Sequence, residues 1–177
     1  MYARSAALGI LGAIAFALPR SSAPDFSLRS TGAVHLQAAG DEARYGVVPL
    51  ALRRGPILMI SLGATRAPGA FQLIRPGDHL PAPGRYPIRS SWDEGESDST
   101  SFRASFMAGS AEEPLGWFHG ESGWVTIAEA RDGRLTGTFE VKARGFTRTD
   151  VDDEDQWVTV QGSFVAVGDS TAAAIAS

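Results

Sequence analysis

The chain has 177 residues, of which 44% are hydrophobic and 20% charged, with 20 glycines, 10 prolines and no cysteine. That length suits one sizeable core rather than two, the composition excludes wholesale disorder, and the missing thiols exclude a disulfide framework, a thiolate metal site, a thiol nucleophile and a thiol-linked lipid anchor. The net charge of −4 becomes −6 once Arg4 and Arg20 of the N-terminal segment are set aside, and an acidic surface repels phosphate backbones, which argues against nucleic acid as a partner.

The first element in chain order is a hydrophobic leader. Arg4 precedes an uncharged apolar run over 6–18, which Pro19, Arg20, Ser21 and Ser22 terminate. This order of charge, apolar stretch and small polar residues is that of an export signal. Thirteen residues reach roughly 20 Å as a helix, short of a bilayer core of roughly 30 Å, so an ordinary transmembrane helix is disfavoured. Cleavage and retention both stay open, because Ala15 and Ala17 lie inside the apolar run and Ala23 is followed by Pro24. If the leader is retained, Leu8, Ile10, Leu11, Ile14, Phe16 and Leu18 are the residues expected to sit in lipid. The positive-inside tendency then places the remaining chain on the periplasmic side. The domain plan is a leader over 1–23, one β-domain over 24–168 and a small-residue tail over 169–177.

Beyond Pro24, apolar residues recur at period two in short runs that Gly, Pro and acidic residues interrupt. That pattern predicts an all-β domain of about 8–10 short strands, an antiparallel sandwich with a barrel as the alternative. Strands are expected at 26–29, 33–38, 44–50, 57–62, 71–74, 86–88, 102–107, 124–130, 134–143 and 157–167. The proline-rich stretch over 75–86 and the acidic, serine-rich stretch over 90–101 are expected as surface loops. Asp132-Gly133 supplies the positive φ of a tight hairpin turn, after which Leu135, Gly137, Phe139, Val141 and Ala143 alternate with Thr136, Thr138, Glu140 and Lys142. One face of that strand should pack inward and the other meet water, with the final strand from Trp157 as its partner. Lys142 is the only lysine among the 16 basic residues, a compositional bias that points to no function.

The runs GWVTI at 123–127, LTGTF at 135–139 and VTVQGSF at 158–164 resemble the closing strands of β-sandwich domains common in bacterial envelope proteins of unassigned function. The likeness is structural and carries no catalytic motif. Together with a retained leader, the chain resembles an accessory subunit on the periplasmic side of a membrane complex, such as a bacterial photosynthetic reaction-centre and antenna assembly. That resemblance implies subunits of a membrane complex as partners, with lipid contact through the leader.

Familiar catalytic patterns are missing. His35, His79 and His119 lack the spacing of metal ligands, with His35 expected mid-strand. Gly168-Asp169-Ser170 has no strand-to-helix elbow around it. Asp150, Asp152, Asp153, Glu154 and Asp155 form an acidic hairpin tip without the glycine and terminal glutamate of a calcium loop. No cofactor, metal or catalytic residue is assigned. Aromatics in polar settings are more informative: Trp92 within SSWDEGE, and Trp117 and Phe118 followed by His119, between EEP and GE. They either fold back as a cover over the core or anchor a protein or headgroup interface. Three functions follow: a structural accessory subunit, a periplasmic module binding a ligand or glycan, and a secreted hydrolase using a carboxylate pair.

Overall fold

The computed structural model describes residues 23–49, 55–63, 69–90, 99–149 and 156–169, and within them the chain forms strands and no helix. The strands are β1 (Phe26–Gly32), β2 (Leu36–Gly40), β3 (Ala43–Pro49), β4 (Pro56–Leu62), β5 (Gly69–Pro76), β6 (Gly84–Pro87), β7 (Arg103–Gly109), β8 (Pro114–Arg131), β9 (Arg134–Thr147) and β10 (Gln156–Gly168). The leader, with Leu8, Ile10, Leu11, Ile14, Phe16 and Leu18, lies outside the described residues, as do Trp92, the acidic tip and the tail. All ten expected strands have a counterpart, and most of them carry their own period-two burial. In β4, for example, Leu58, Ile60 and Leu62 are fully buried between half-buried neighbours.

The hairpin of β8 and β9 organises the sheet. Asp132 and Gly133 take φ of 52° and 71°, the pair of positive values that a two-residue turn between right-twisted strands requires. From Arg131↔Arg134 the pairing runs to Gly116↔Thr147. Two register shifts, between Gly120 and Ser122 and between Ile127 and Glu129, insert one residue each and bend β8. β10 then lies antiparallel along β9 from Gln156↔Gly145 to Val167↔Arg134, as the alternation of the two strands predicts.

The other edges of these long strands each serve two partners in succession. β8 pairs with β7 through Ser105↔His119 and, farther along, with β6 through Pro87↔Trp124. β10 pairs with β1 from Gly32↔Val158 to Phe26↔Phe164 and then, in parallel, with β3 at Val167↔Arg44 and Gly168↔Tyr45. β2 extends the sheet beyond β1. Since β3, β4, β5 and β7 pair in sequence, the path of backbone pairing returns from β10 through β3 to β8 and β9. The sheet is antiparallel apart from the β10–β3 contact and one bridge between Ile88 and Phe102.

Every strand of this path directs alternate residues into one core. Phe71, Phe102, Phe106, Phe118, Phe139 and Phe164 fill it with Ile60, Leu62, Leu73, Val125, Ile127, Leu135, Val141 and Val160. Phe71 and Phe139 stack with ring centroids 4.2 Å apart and planes 9° from parallel. Across β9 and β10 the rings sit over glycines: Phe139 is opposite Gly162 and Phe164 opposite Gly137, where a Cβ would come within 2.8 Å of the facing ring. Large and small residues thus exchange places across adjacent strands, which lets both rings lie flat on the backbone.

Three expectations need correction. The segment holding Trp117 and Phe118 was expected as loop, and it is the first third of β8. Its inward positions are Gly116, Phe118 and Gly120, so two of three carry no side chain and the period-two signal is hidden. Glycine fits closely there, because a Cβ on Gly120 would meet side-chain atoms of Ala104, Ile88 and Val141 at 3.0–3.1 Å and they would have to shift by a few tenths of an ångström. His35 was expected mid-strand, yet it is exposed in the turn between β1 and β2. The expected loop over 75–86 is confined to 77–83, since β5 continues to Pro76 and β6 begins at Gly84.

Candidate binding face of the sheet

The core contains no tryptophan among the described residues. Trp117, Trp124 and Trp157 all point outward and keep 43%, 43% and 41% of their surface exposed. Strand parity decides this. Val125 and Ile127 of β8 and Val158 and Val160 of β10 are buried, so neighbours one residue away must face the other side. The outer face of β1, β10, β9, β8 and β6 therefore carries a defined set of side chains in cross-strand rows.

One row runs Arg29, Gln161, Glu140, Trp124, and the next runs Ser27, Ser163, Thr138, Thr126, Arg85. A third runs Thr31, Thr159, Lys142, Ser122. The first two rows, apart from Ser163, line an open trough of about 830 Å³, which Gln37 of β2 closes on one side and Arg85 of β6 on the other. Adjacent strands lie about 4.8 Å apart, so the four steps from β1 to β6 give the trough a width of about 19 Å. Its lining is mainly polar, with the indole of Trp124 as the large apolar surface.

Three cations on this face, Arg29, Arg85 and Lys142, lie against uncharged groups. The guanidinium of Arg85 lies 4.1 Å from the centre of the Trp124 ring, and the ammonium of Lys142 lies 4.4 Å from that of Trp157. With its amide oxygen turned toward β1, Gln161 accepts from Arg29 Nε at 3.0 Å. Ser27 and Ser163 share a hydrogen bond of 3.0 Å between their hydroxyls. Cation–ring contacts at exposed sites contribute about 0.5–1 kcal/mol each, enough to bias a long side chain toward one position without pairing its charge. Among the described residues no carboxylate stands within ion-pair distance of Arg29, Arg85 or Lys142; the arginines that do have one are Arg131, beside Glu129 and Asp132, and Arg144, beside Glu121.

Of the residues expected at an interface, Trp117 is outward and lies 6.2 Å from Phe146. These two rings, with Pro114, Gly116, Glu112 and Arg148, border a smaller cleft of about 320 Å³, and Leu115 beside them is 53% exposed. Phe118 is a core residue, 1% exposed and packed on Phe106, so it offers nothing to a partner. His119 is half-buried, level with Ser105 and Arg144. His79 is a surface residue beside Asp78 at 3.3 Å, and among the described residues no group of three His, Asp or Glu side chains gathers as a metal site. Trp124 and Trp157, which carry the outer face, were read from the sequence only as strand residues. Their signal was present: each breaks the apolar alternation by placing a tryptophan on the polar parity.

Comparison of the chain with protein-family models, with curated proteins and with solved structures finds no match.

Proposed function

We propose that this chain is a non-catalytic binding module of the cell envelope whose working surface is the trough across β1, β10, β9, β8 and β6, and whose ligand is a glycan. The observation that carries the reading is the outward Trp124, 43% exposed and braced by Arg85 beside rows of serine, threonine and glutamine side chains. An indole offers a flat apolar platform to the C–H face of a sugar ring, while hydroxyl and amide groups meet sugar hydroxyls. Glu140 is the one carboxylate among the described residues lining the trough. Glycoside hydrolysis by the common routes needs two, which favours binding over turnover. The apolar leader supports a periplasmic site of action, with the β-domain held near the membrane where the leader is retained.

The finer architecture belongs to the same proposal. We read the domain as a barrel, the alternative to a two-layered sandwich, and the support is the pairing path that returns to its start through β10 and β3.

A glycan array probed with the full chain tests the function. Binding to a subset of glycans, lost in Trp124→Ala with the fold intact by circular dichroism, is expected. An array without binding, or binding that survives Trp124→Ala, overturns the proposal. A second reading, the structural accessory subunit, draws on the other end of β8, where exposed Leu115 and Trp117 lie beside half-buried Phe146. The occupant would be an apolar protein surface of a membrane complex. Co-purification with such a complex in detergent, weakened by Trp117→Ser, supports it; a monomer recovered alone from native membranes refutes it.

A further inference from the structure

The charge on the binding face runs against the charge of the chain. The whole chain carries −4, yet Arg29 and Arg85 in the trough and Lys142 in the row beside it stand against Glu140, the one carboxylate among the described residues lining the trough; the other carboxylates of this face, Glu121 and Glu129, are paired with Arg144 and Arg131. Arg144 on the same face stands 3.5 Å from Glu121, the residue inserted at the first bulge of β8. Arg29, Arg85 and Lys142 thus have no carboxylate partner among the described residues, and each lies against a neutral one: the Gln161 amide, the Trp124 ring and the Trp157 ring.

From this pattern we infer that the ligand of the face is an anionic polysaccharide, one that carries its negative groups on separate sugars. The inference rests on the glycan reading given above and narrows it. A cation whose partner is an amide or an indole is preorganised without being neutralised, so its charge is available to a ligand at little ordering cost. The three cations are also dispersed. Arg29, Lys142 and Arg85 stand on β1, β9 and β6, with the strands of Arg29 and Arg85 four steps apart, about 19 Å measured along the sheet. A single phosphate would call for convergent donors around one point, whereas separated cations divided by hydroxyl rows match an extended, polyhydroxylated chain with periodic carboxylates or sulfates. Glu140 lies between them on β9, where it disfavours continuous negative charge and suits a gap between charged groups.

Isothermal titration of the full chain with three polymers tests this. The first is polygalacturonate, the second its methyl-esterified form, which has the same sugars without the charge, and the third polyglutamate, which has the charge without sugars. Polygalacturonate is expected to bind at least about tenfold more tightly than either other polymer, with affinity falling as salt is raised. Arg29→Gln, Arg85→Gln and Lys142→Gln are each expected to weaken it about tenfold, the scale of one charge-assisted contact, with unchanged melting temperature. Equal binding of the esterified polymer overturns the charge inference and leaves the glycan reading standing. Equal binding of polyglutamate overturns the polysaccharide assignment. Binding of none of the three, alongside an array without binding, removes both readings, whereas binding of a neutral glycan alone removes only this inference.

Discussion

Replacing Phe139 by alanine tests the core beneath the trough. Its ring is 4% exposed, stacked on Phe71 at 4.2 Å and seated opposite Gly162, while its chain neighbours Thr138 and Glu140 line the trough. Removing a buried phenyl group forfeits about 1.5–3 kcal/mol of transfer free energy. A cavity of roughly 100 Å³, left unrelaxed, adds about 2.4 kcal/mol at roughly 24 cal/mol per Å³. The glycine opposite has no side chain with which to fill the space, so little relaxation is available, and a total of about 4–5 kcal/mol is expected, at the upper end for buried phenylalanines. For a domain of this size that corresponds to a fall in Tm of about 10 °C or more. Urea unfolding followed by tryptophan emission and by far-ultraviolet circular dichroism measures it, with Thr138→Ala as the surface control expected within about 0.5 kcal/mol. A loss below about 1 kcal/mol would falsify the packing described for β9 and β10. So would a double-mutant cycle with Phe71 that shows no coupling, since a stacked pair contributes about 0.5–1.5 kcal/mol beyond burial.

Gly123→Ala is expected to cost more than about 2 kcal/mol in urea unfolding, because Gly123 has φ of +132° and an added Cβ would overlap the Glu140 carbonyl; a neutral result contradicts the backbone geometry beside the first bulge. At the hairpin tip, Gly133→Ala should cost about 1 kcal/mol, since its φ of 71° disfavours a side chain although nothing lies within 4 Å, and Asp132→Asn should be neutral or slightly stabilising. Equal tolerance of alanine at 123 and 133 would refute the distinction between a crowded and an open glycine. Trp124→Ala should cost about 1–3 kcal/mol, because more than half of the indole surface is covered and it packs on Arg85, while leaving the circular dichroism spectrum unchanged and removing ligand binding; loss of the folded state would show that the indole serves the fold.

Much of the fold was legible in the chain because β-structure writes itself locally. Alternation along Leu135, Phe139 and Val141, turn chemistry at Asp132-Gly133 and the matching pattern of Val158, Val160 and Phe164 specify strands, their inward faces and one hairpin without reference to anything distant. Where the inward positions are glycines the pattern goes silent, and the first third of β8 with Trp117 and Phe118 was lost for that reason. The candidate site was legible only in part. Strand parity alone places Trp124 and Trp157 outward, and their exposure follows from it.

Tertiary structure decided which outward residues became neighbours. Arg29, Gln161, Glu140 and Trp124 come from four strands spread from the first to the last, and no local rule states that β1 lies against β10 or that β6 lies against β8. Those pairings depend on which hydrophobic faces close over a shared core, a property of the whole chain. The residue types and the sides on which they project are determined by the sequence in short range; the trough, its dispersed cations and their uncharged braces exist only once the sheet has assembled.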